Sequence, residues 1–320
     1  MTERKLQTAV VTGPTGAIGM ALCRHLLDAG VTVYAVCRPG SPRAAALPRH
    51  PDLHQVECDA TVLDTLPWLL AERMDGQPRA DAFFHLAWAH TIGPGRNDMP
   101  AQTENIFNTL QAVRAAHALG CQVFVGVGSQ AEYGRVEGKL RPDTPAFPQT
   151  GYGMAKLCAG QMARAECKAL GLAGIWARVL SVYGPHDGPN TMVTATIRKL
   201  LAGQCPPLTA GEQLWDYLYA ADAADALVRM AQRGHDGAVY PLGSGQARPL
   251  REYIETMRDA IDPALPLGFG QVPYAPNQVM HLEADLTALR QDTGFAPRTP
   301  FETGIRETIA WVREEAANHE

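Results

Sequence analysis

A doubly wound α/β fold, with one parallel sheet between two layers of helices, is what this sequence predicts. Three observations carry the prediction: apolar runs of strand length alternate with helical patterns through the first 180 residues, a glycine-spaced turn follows the first run, and the connections are short. Thr8–Thr12 (TAVVT) reads as a buried strand, and Ile18–Ala29 as a helix stopped by Gly30. Val31–Cys37, Leu53–Glu57 and Ala82–Ala87 read as the next three strands. Thr103–Leu119 is a long helix ended by Gly120, and Val123–Val127 is the fifth strand. Tyr152–Leu170 is a second long helix, ended by Gly171, and Ala173–Leu180 is the sixth strand.

Beyond Tyr183 the pattern loosens. Gly184–Asn190 is a loop, Thr191–Ala202 helical, Leu214–Tyr219 a strand and Ala220–Ala231 a helix. Further helices are expected over Leu250–Ile261 and Pro300–Glu315. The expected organisation is a larger domain over 1–180, to which 213–240 return, and a smaller C-terminal lobe from 181–212 and 241–320.

Composition excludes several classes. The 320 residues are 46% hydrophobic and 19% charged, enough to bury a sizeable core. A net charge of -5, with no basic run beside aromatics, argues against a nucleic-acid surface. No apolar stretch is long enough to cross a bilayer, and Met1–Gln7 lacks the layout of a signal peptide, so no membrane partner and a cytoplasmic location are expected. The seven cysteines are scattered without a C-x-x-C pair, which reads as reduced thiols and no metal site.

Thr12–Gly19 (TGPTGAIG) places Gly13, Gly16 and Gly19 between the first strand and the first helix. Free N–H groups at the helix start favour an anion, the first two glycines admit a close pyrophosphate, and the third lets helix and strand pack. The turn therefore predicts a dinucleotide. NAD sites usually carry an acidic residue after the second strand, whereas this chain has Val36, Cys37 and Arg38, then Ser41 and Arg43. A cation there suits the extra phosphate of NADP, and NAD is the alternative.

Tyr152 and Lys156 lie four apart in YGMAK, on one face of a helix. An ammonium near a phenol stabilises the phenolate, so the tyrosine can exchange a proton with a substrate oxygen. Ser129 follows the fifth strand, whose C-terminal end borders the ligand crevice of such a sheet. The three together point to proton transfer coupled to hydride transfer.

These features, in this order and spacing, resemble the extended short-chain dehydrogenases/reductases, the epimerase/dehydratase family with a Rossmann sheet. HLAW (His85–Trp88), Asp59, Asn105, RVLSVYGP (Arg178–Pro185) and WDYLYAADAADAL (Trp215–Leu227) resemble further signatures of that family. The resemblance implies that Ser129 orients a carbonyl, Tyr152 is the general acid/base and Lys156 also holds the nicotinamide ribose. It implies cofactor contacts at Gly13, Thr15, Gly16, Ala17, Ile18 and Gly19 in the turn. Others are implied at Arg38, Asp59, Ala60, Leu86, Ala87, Leu180 and Val182. Substrate contacts are implied at Trp88, Gln130, Ala131, Ser181 and Trp215. Asn190, Thr191 and Met192 are weighed equally as substrate contacts and as a helix cap with its first turn. His85 is expected in or beside the cofactor cleft. Two long helices, Thr103–Leu119 and Tyr152–Leu170, pair with a second subunit in relatives, which implies a homodimer.

Members of the family mostly act on nucleotide-linked sugars. Dehydratases carry an Asp-Glu pair after the catalytic hydroxyl residue; here Gln130 and Ala131 stand there, and Glu132 is one place too far. The C-terminal segments resemble CDP-paratose and CDP-abequose synthases, which implies reduction of a C4 ketone with NADPH. A 4-epimerase with resident NAD is the alternative, and a dinucleotide sensor has no need of the Ser129–Tyr152–Lys156 set. Departures from the family stand at Ser181, Trp215 and Ala275, where Asn, Arg and Arg are common. With the diphosphate arginines gone, either Arg248 or Arg198 is the cation for that group or the substrate carries no diphosphate, and core packing is the first reading of Trp215, ahead of stacking on a base or sugar.

Overall fold

The alternation of buried runs and helices builds a seven-stranded parallel sheet. The computed structural model describes residues 3–74 and 78–317. In chain order the first elements are β1 (Thr8–Thr12), α1 (Ala17–Asp28), β2 (Thr32–Cys37), β3 (Leu53–Glu57), α2 (Leu66–Ala71), β4 (Ala82–His85), α3 (Met99–Ala118), β5 (Val123–Ser129), α4 (Gly151–Leu170) and β6 (Ala173–Val179). They continue with β7 (Ser181–Tyr183), α5 (Met192–Leu201), β8 (Leu214–Trp215), β9 (Tyr217–Tyr219), α6 (Ala220–Arg233) and β10 (Val239–Leu242). The chain ends in β11 (Arg248–Pro249), α7 (Leu250–Ile261), α8 (Thr287–Thr293) and α9 (Phe301–Ala317).

The sheet runs β10-β6-β5-β4-β1-β2-β3. The chain moves outward from β1 to β3, then returns to β4 on the other side of β1. That reversal opens a crevice beyond the carboxyl ends of β1 and β4, where ligands of doubly wound sheets bind. Alternate residues of β1 feed two cores. Ala9 and Val11 face α1 and α6, and Val10 faces α2, α3 and α4. A third core, from α5, α7 and α9 with Tyr183, Tyr219 and Phe301, forms the smaller lobe.

Two glycines in β5 make room for one side chain. A Cβ on Gly126 would meet the Trp176 ring at 2.3 Å, and one on Gly128 would meet both Glu132 and Trp176 at 2.2 Å. The VGVG sequence is therefore the complement of a buried tryptophan on β6.

The expected strand Leu214–Tyr219 is divided. Trp215 pairs antiparallel with Arg248 of β11, while Tyr217 pairs with Ser181 of β7. Between them Asp216 turns inward and accepts from Ser244 N and Oγ (2.6 Å each), Gly245 N (3.0 Å) and Ala284 N (3.0 Å). A buried carboxylate with four donors holds the chain at that pivot. Among the described residues no helix is long and apolar enough to cross a membrane.

Candidate active site

The turn between β1 and α1 is shaped by steric need at two glycines. Gly13 has φ 67°, and a Cβ there would meet Ala87 N at 2.9 Å. On Gly19 it would strike Gly13 O at 2.2 Å. Gly16 differs: a Cβ there would meet nothing within 4 Å. Gly16 is the N-cap of α1 and no side chain occupies the cap, so the N–H groups of Ala17, Ile18 and Gly19 at the helix start are left to an outside acceptor. These features fit a dinucleotide pyrophosphate.

A cavity of about 420 Å³ opens from this turn, lined among others by Gly13, Thr15, Arg38, Asp59, Ala87 and Trp88. Thr12 Oγ1 accepts from the Leu86 and Ala87 amides, both at 3.2 Å, and so ties β1 to the chain leaving β4. His85 lies beside the cavity, under its floor, rather than in it. Its ring is buried between Thr12 Oγ1 (2.9 Å) and Thr109 Oγ1 (3.4 Å). Burial and the nearby Lys156 pull it down to about 3, so it is a neutral hydrogen-bonding strut at physiological pH.

At the far end the cavity meets Val36, Cys37, Arg38, Ser41 and Arg43. The nearby carboxylate, Glu57, accepts from Gly40 N at 3.1 Å. Asp59 caps the 3-10 turn that begins at Ala60, accepting from Thr61 N and Oγ1, and these bonds hold its carboxyl below the usual range. Asn105 both accepts from Ala89 N (2.9 Å) and donates to Ala89 O (3.1 Å), fixing the loop after β4. Leu180 and Val182 sit at and beside the start of β7 and do not line this cavity.

The catalytic candidates converge at the start of α4. Thr150 caps the helix by accepting from Gly153 N (3.1 Å). Tyr152 and Lys156 are both buried on its inner face. The Lys156 ammonium donates to Val127 O at 2.6 Å and lies 3.7 Å from the centroid of the Trp88 ring. Burial pulls Lys156 down to about 7, against the raising influence of Glu132. Trp88 meets Tyr152 edge to face at 6.1 Å. The other face contact of Tyr152 has no signal in the sequence: the guanidinium carbon of Arg96 stands 4.2 Å from its ring centroid. Burial pushes the phenol up, while Ser129 and Arg96 oppose the rise.

Glu132 is turned away from the cleft. It is wholly buried, with Oε2 accepting from Arg178 Nε at 2.7 Å and Oε1 from Trp176 Nε1 at 2.9 Å. Oε1 also accepts from Ser129 N at 2.8 Å, while Ser129 Oγ accepts from Ala131 N at 3.2 Å. Sequence reasoning missed this support, although the strand register that sets Gly128 beside Arg178 brings it about.

The substrate candidates divide. Trp88 lines the cavity and packs against Tyr152, and Gln130 and Ala131 follow Ser129 in the 3-10 turn after β5. Trp215 donates to Ser181 Oγ at 2.8 Å and packs against both the main core and the smaller one, so packing is its observed role. Thr191 is the N-cap of α5, accepting from Thr194 N, with Asn190 before it and Met192 opening the helix. The capping reading is thus the one with contacts behind it. Arg248 pairs with Glu302 and Arg198 with Glu315, both at the partly exposed surface. Ala275 lies in an exposed loop. Among the described residues no cluster of metal-ligating side chains occurs, and all seven cysteines are free thiols.

Comparison with known proteins agrees with this geometry. The sequence pattern of the family described as "NAD dependent epimerase/dehydratase family" matches residues 9–243. A dTDP-glucose 4,6-dehydratase of Neisseria meningitidis is 26% identical, covering 96% of this chain and 93% of its own. The solved UDP-N-acetylglucosamine 4-epimerase of Methanobrevibacter ruminantium M1 superposes with a TM-score of 0.85 at 23% identity, covering 98% of this chain and 100% of that one. MoeE5, solved with UDP-glucuronic acid and NAD, gives 0.82 at 26% identity over 96% and 99%.

Proposed function

Starting from the fact that the chain belongs to the NAD dependent epimerase/dehydratase family, we propose that it reduces the C4 ketone of a nucleotide-linked deoxyhexose with NADPH. When bound, the nicotinamide supplies the hydride that the ketone carbon gains. Tyr152 would give its phenolic proton to the ketone oxygen, Ser129 would orient that oxygen, and Lys156 would hold the nicotinamide ribose. Gly13, Gly16 and the start of α1 would hold the pyrophosphate, and Asp59 and Ala60 would hold the adenosine end.

The observation that carries the reading is the turn after Ser129. Water elimination needs an acid and a base there, yet Gln130 and Ala131 supply neither, and the Glu132 carboxylate is spent on Arg178, Trp176 and Ser129 N. This separates the chain's chemistry from that of its dehydratase relatives. The raised phenol also favours a proton donor over a resting base. Arg38, Ser41 and Arg43 around the second-strand end support NADP.

A second reading, 4-epimerisation with resident NAD, is favoured by the NAD in MoeE5. Purified protein is denatured and the released dinucleotide identified, then NADPH consumption is followed with nucleotide-linked 4-keto-6-deoxyhexoses. Consumption that Tyr152→Phe abolishes is the expected result. One NAD released per chain, with no NADPH consumption, turns the assignment to epimerisation.

We also propose a homodimer through α3 and α4. These helices pack on each other, and Met99, Phe107, Met154 and Met162 are left exposed on them. The smaller lobe, built on α5, α7 and α9, would then close over the sugar nucleotide; α8 and the end of β10, expected in that lobe, pack with the main sheet instead.

A further inference from the structure

Arg96 is a cation without a partner carboxylate among the described ion pairs. It sits in the 3-10 turn Pro94–Asn97, ahead of α3, and is half-buried. Its Nη1 donates to Thr91 O at 2.7 Å, which fixes the guanidinium from one side. The turn is fastened to the start of α4 by Asn97 Oδ1, which accepts from Gly151 N at 3.0 Å. A Cβ on Gly151 would meet Met99 Sδ at 2.8 Å and Arg96 O at 3.1 Å, so the two segments are in direct contact. With that seating, the guanidinium carbon stands 4.2 Å from the centroid of the Tyr152 ring, whereas the Lys156 ammonium is 6.0 Å away and donates to Val127 O.

We propose that Arg96 is a positioning residue for the reaction: its guanidinium, laid on the Tyr152 ring, holds the charge left on the phenolate when the proton passes to the substrate oxygen. The inference rests on Tyr152 as the proton donor. In the transfer the Tyr152 O–H bond breaks, an O–H bond forms on the substrate, and one negative charge moves onto the phenol oxygen. A cation on the ring face attracts the neutral ring and attracts the phenolate more strongly. Arginine suits the place because its planar guanidinium can lie flat on an aromatic face. The groups facing Tyr152 are Ser129 at the end of β5, Trp88 after β4, Arg96 before α3, and Lys156 on its own helix, with the buried Glu132 carboxylate acting from behind Ser129. Of these, Ser129 and Arg96 favour the phenolate and Glu132 opposes it.

The test needs no substrate. The chain is made with fluorotyrosine, and the Tyr152 fluorine resonance, assigned by its loss in Tyr152→Phe, is followed against pH. Arg96→Gln keeps a donor for Thr91 O and removes the charge; Arg96→Lys keeps the charge. The Gln variant is expected to move the Tyr152 midpoint up by about one pH unit, the low end of the effect of an opposite charge at this range. The Lys variant should return most of that shift. An unmoved midpoint in Arg96→Gln, or equal movement in both variants, overturns the proposal. A moved midpoint in a protein that consumes no sugar nucleotide overturns only the substrate assignment.

Discussion

Removing the Glu132 carboxylate leaves Arg178 as an uncompensated charge inside the protein. The two side chains are 0% and 7% exposed, so the pair lies in the range where breaking it is costly. Glu132→Gln is expected to lower stability by about 3 kcal/mol, read as a shift of the urea midpoint. The double change Glu132→Gln with Arg178→Met should recover a large part of it, because no lone charge remains. His85 makes a separate demand. Its folded value, about 3, lies below the ordinary 6.5, so the unfolded chain binds the extra proton between those limits. Stability is therefore lost as pH falls from about 6.5 toward 3. Replacing the ring checks this: His85→Gln should flatten the upper part of that acid limb in thermal melts. His186, also lowered by burial, contributes in the same direction, and the depressed carboxyls of Asp59, Glu283, Asp285 and Glu302 add to the loss at lower pH. Tyr152, Lys156 and Ser129 were legible because spacing and position announce them. Arg96 was not, because it sits in a Gly-Pro loop with no periodicity, and Glu132 gives its purpose away only once β6 is laid beside β5.

Two glycines of the same turn serve different ends, and substitution separates them. Gly19→Ala drives a Cβ into Gly13 O, so it should both destabilise the fold and abolish dinucleotide binding. Gly16→Ala meets no protein atom, and its melting temperature should stay near that of the parent while dinucleotide affinity, measured by calorimetry, falls at least tenfold. At the start of α4, Thr150→Ala removes the cap bond to Gly153 N and is expected to cost about 1 kcal/mol. The parallel strands and their helices could be read from the sequence because buried runs and 3.6-residue periodicity are local signals. The division of Leu214–Tyr219 could not, since the donors that turn Asp216 inward come from Ser244, Gly245 and Ala284, far along the chain.

At the scale of the whole molecule, the outer side of α3 and α4 is the surface to test. Phe107 is 55% exposed and Met162 43%, large apolar groups on neighbouring helices. Phe107→Glu with Met162→Glu should shift the sedimentation coefficient from dimer to monomer if those helices pair between subunits. A parent that sediments as a monomer removes that reading. The family match ends at 243, just past β10, and the sheet explains why a shorter unit would not serve. Residues 239–242 are hydrogen-bonded to β6, and α6 covers the same face as α1. A gene fragment stopped at residue 180 would strip the outer neighbour from β6 and bare the apolar face beneath α6. Such a fragment should come from cells as inclusion bodies, with β6 a raw edge recruiting other chains. Co-expression with the remainder, 181–320, should restore solubility by complementation, because the missing strand would be returned in trans.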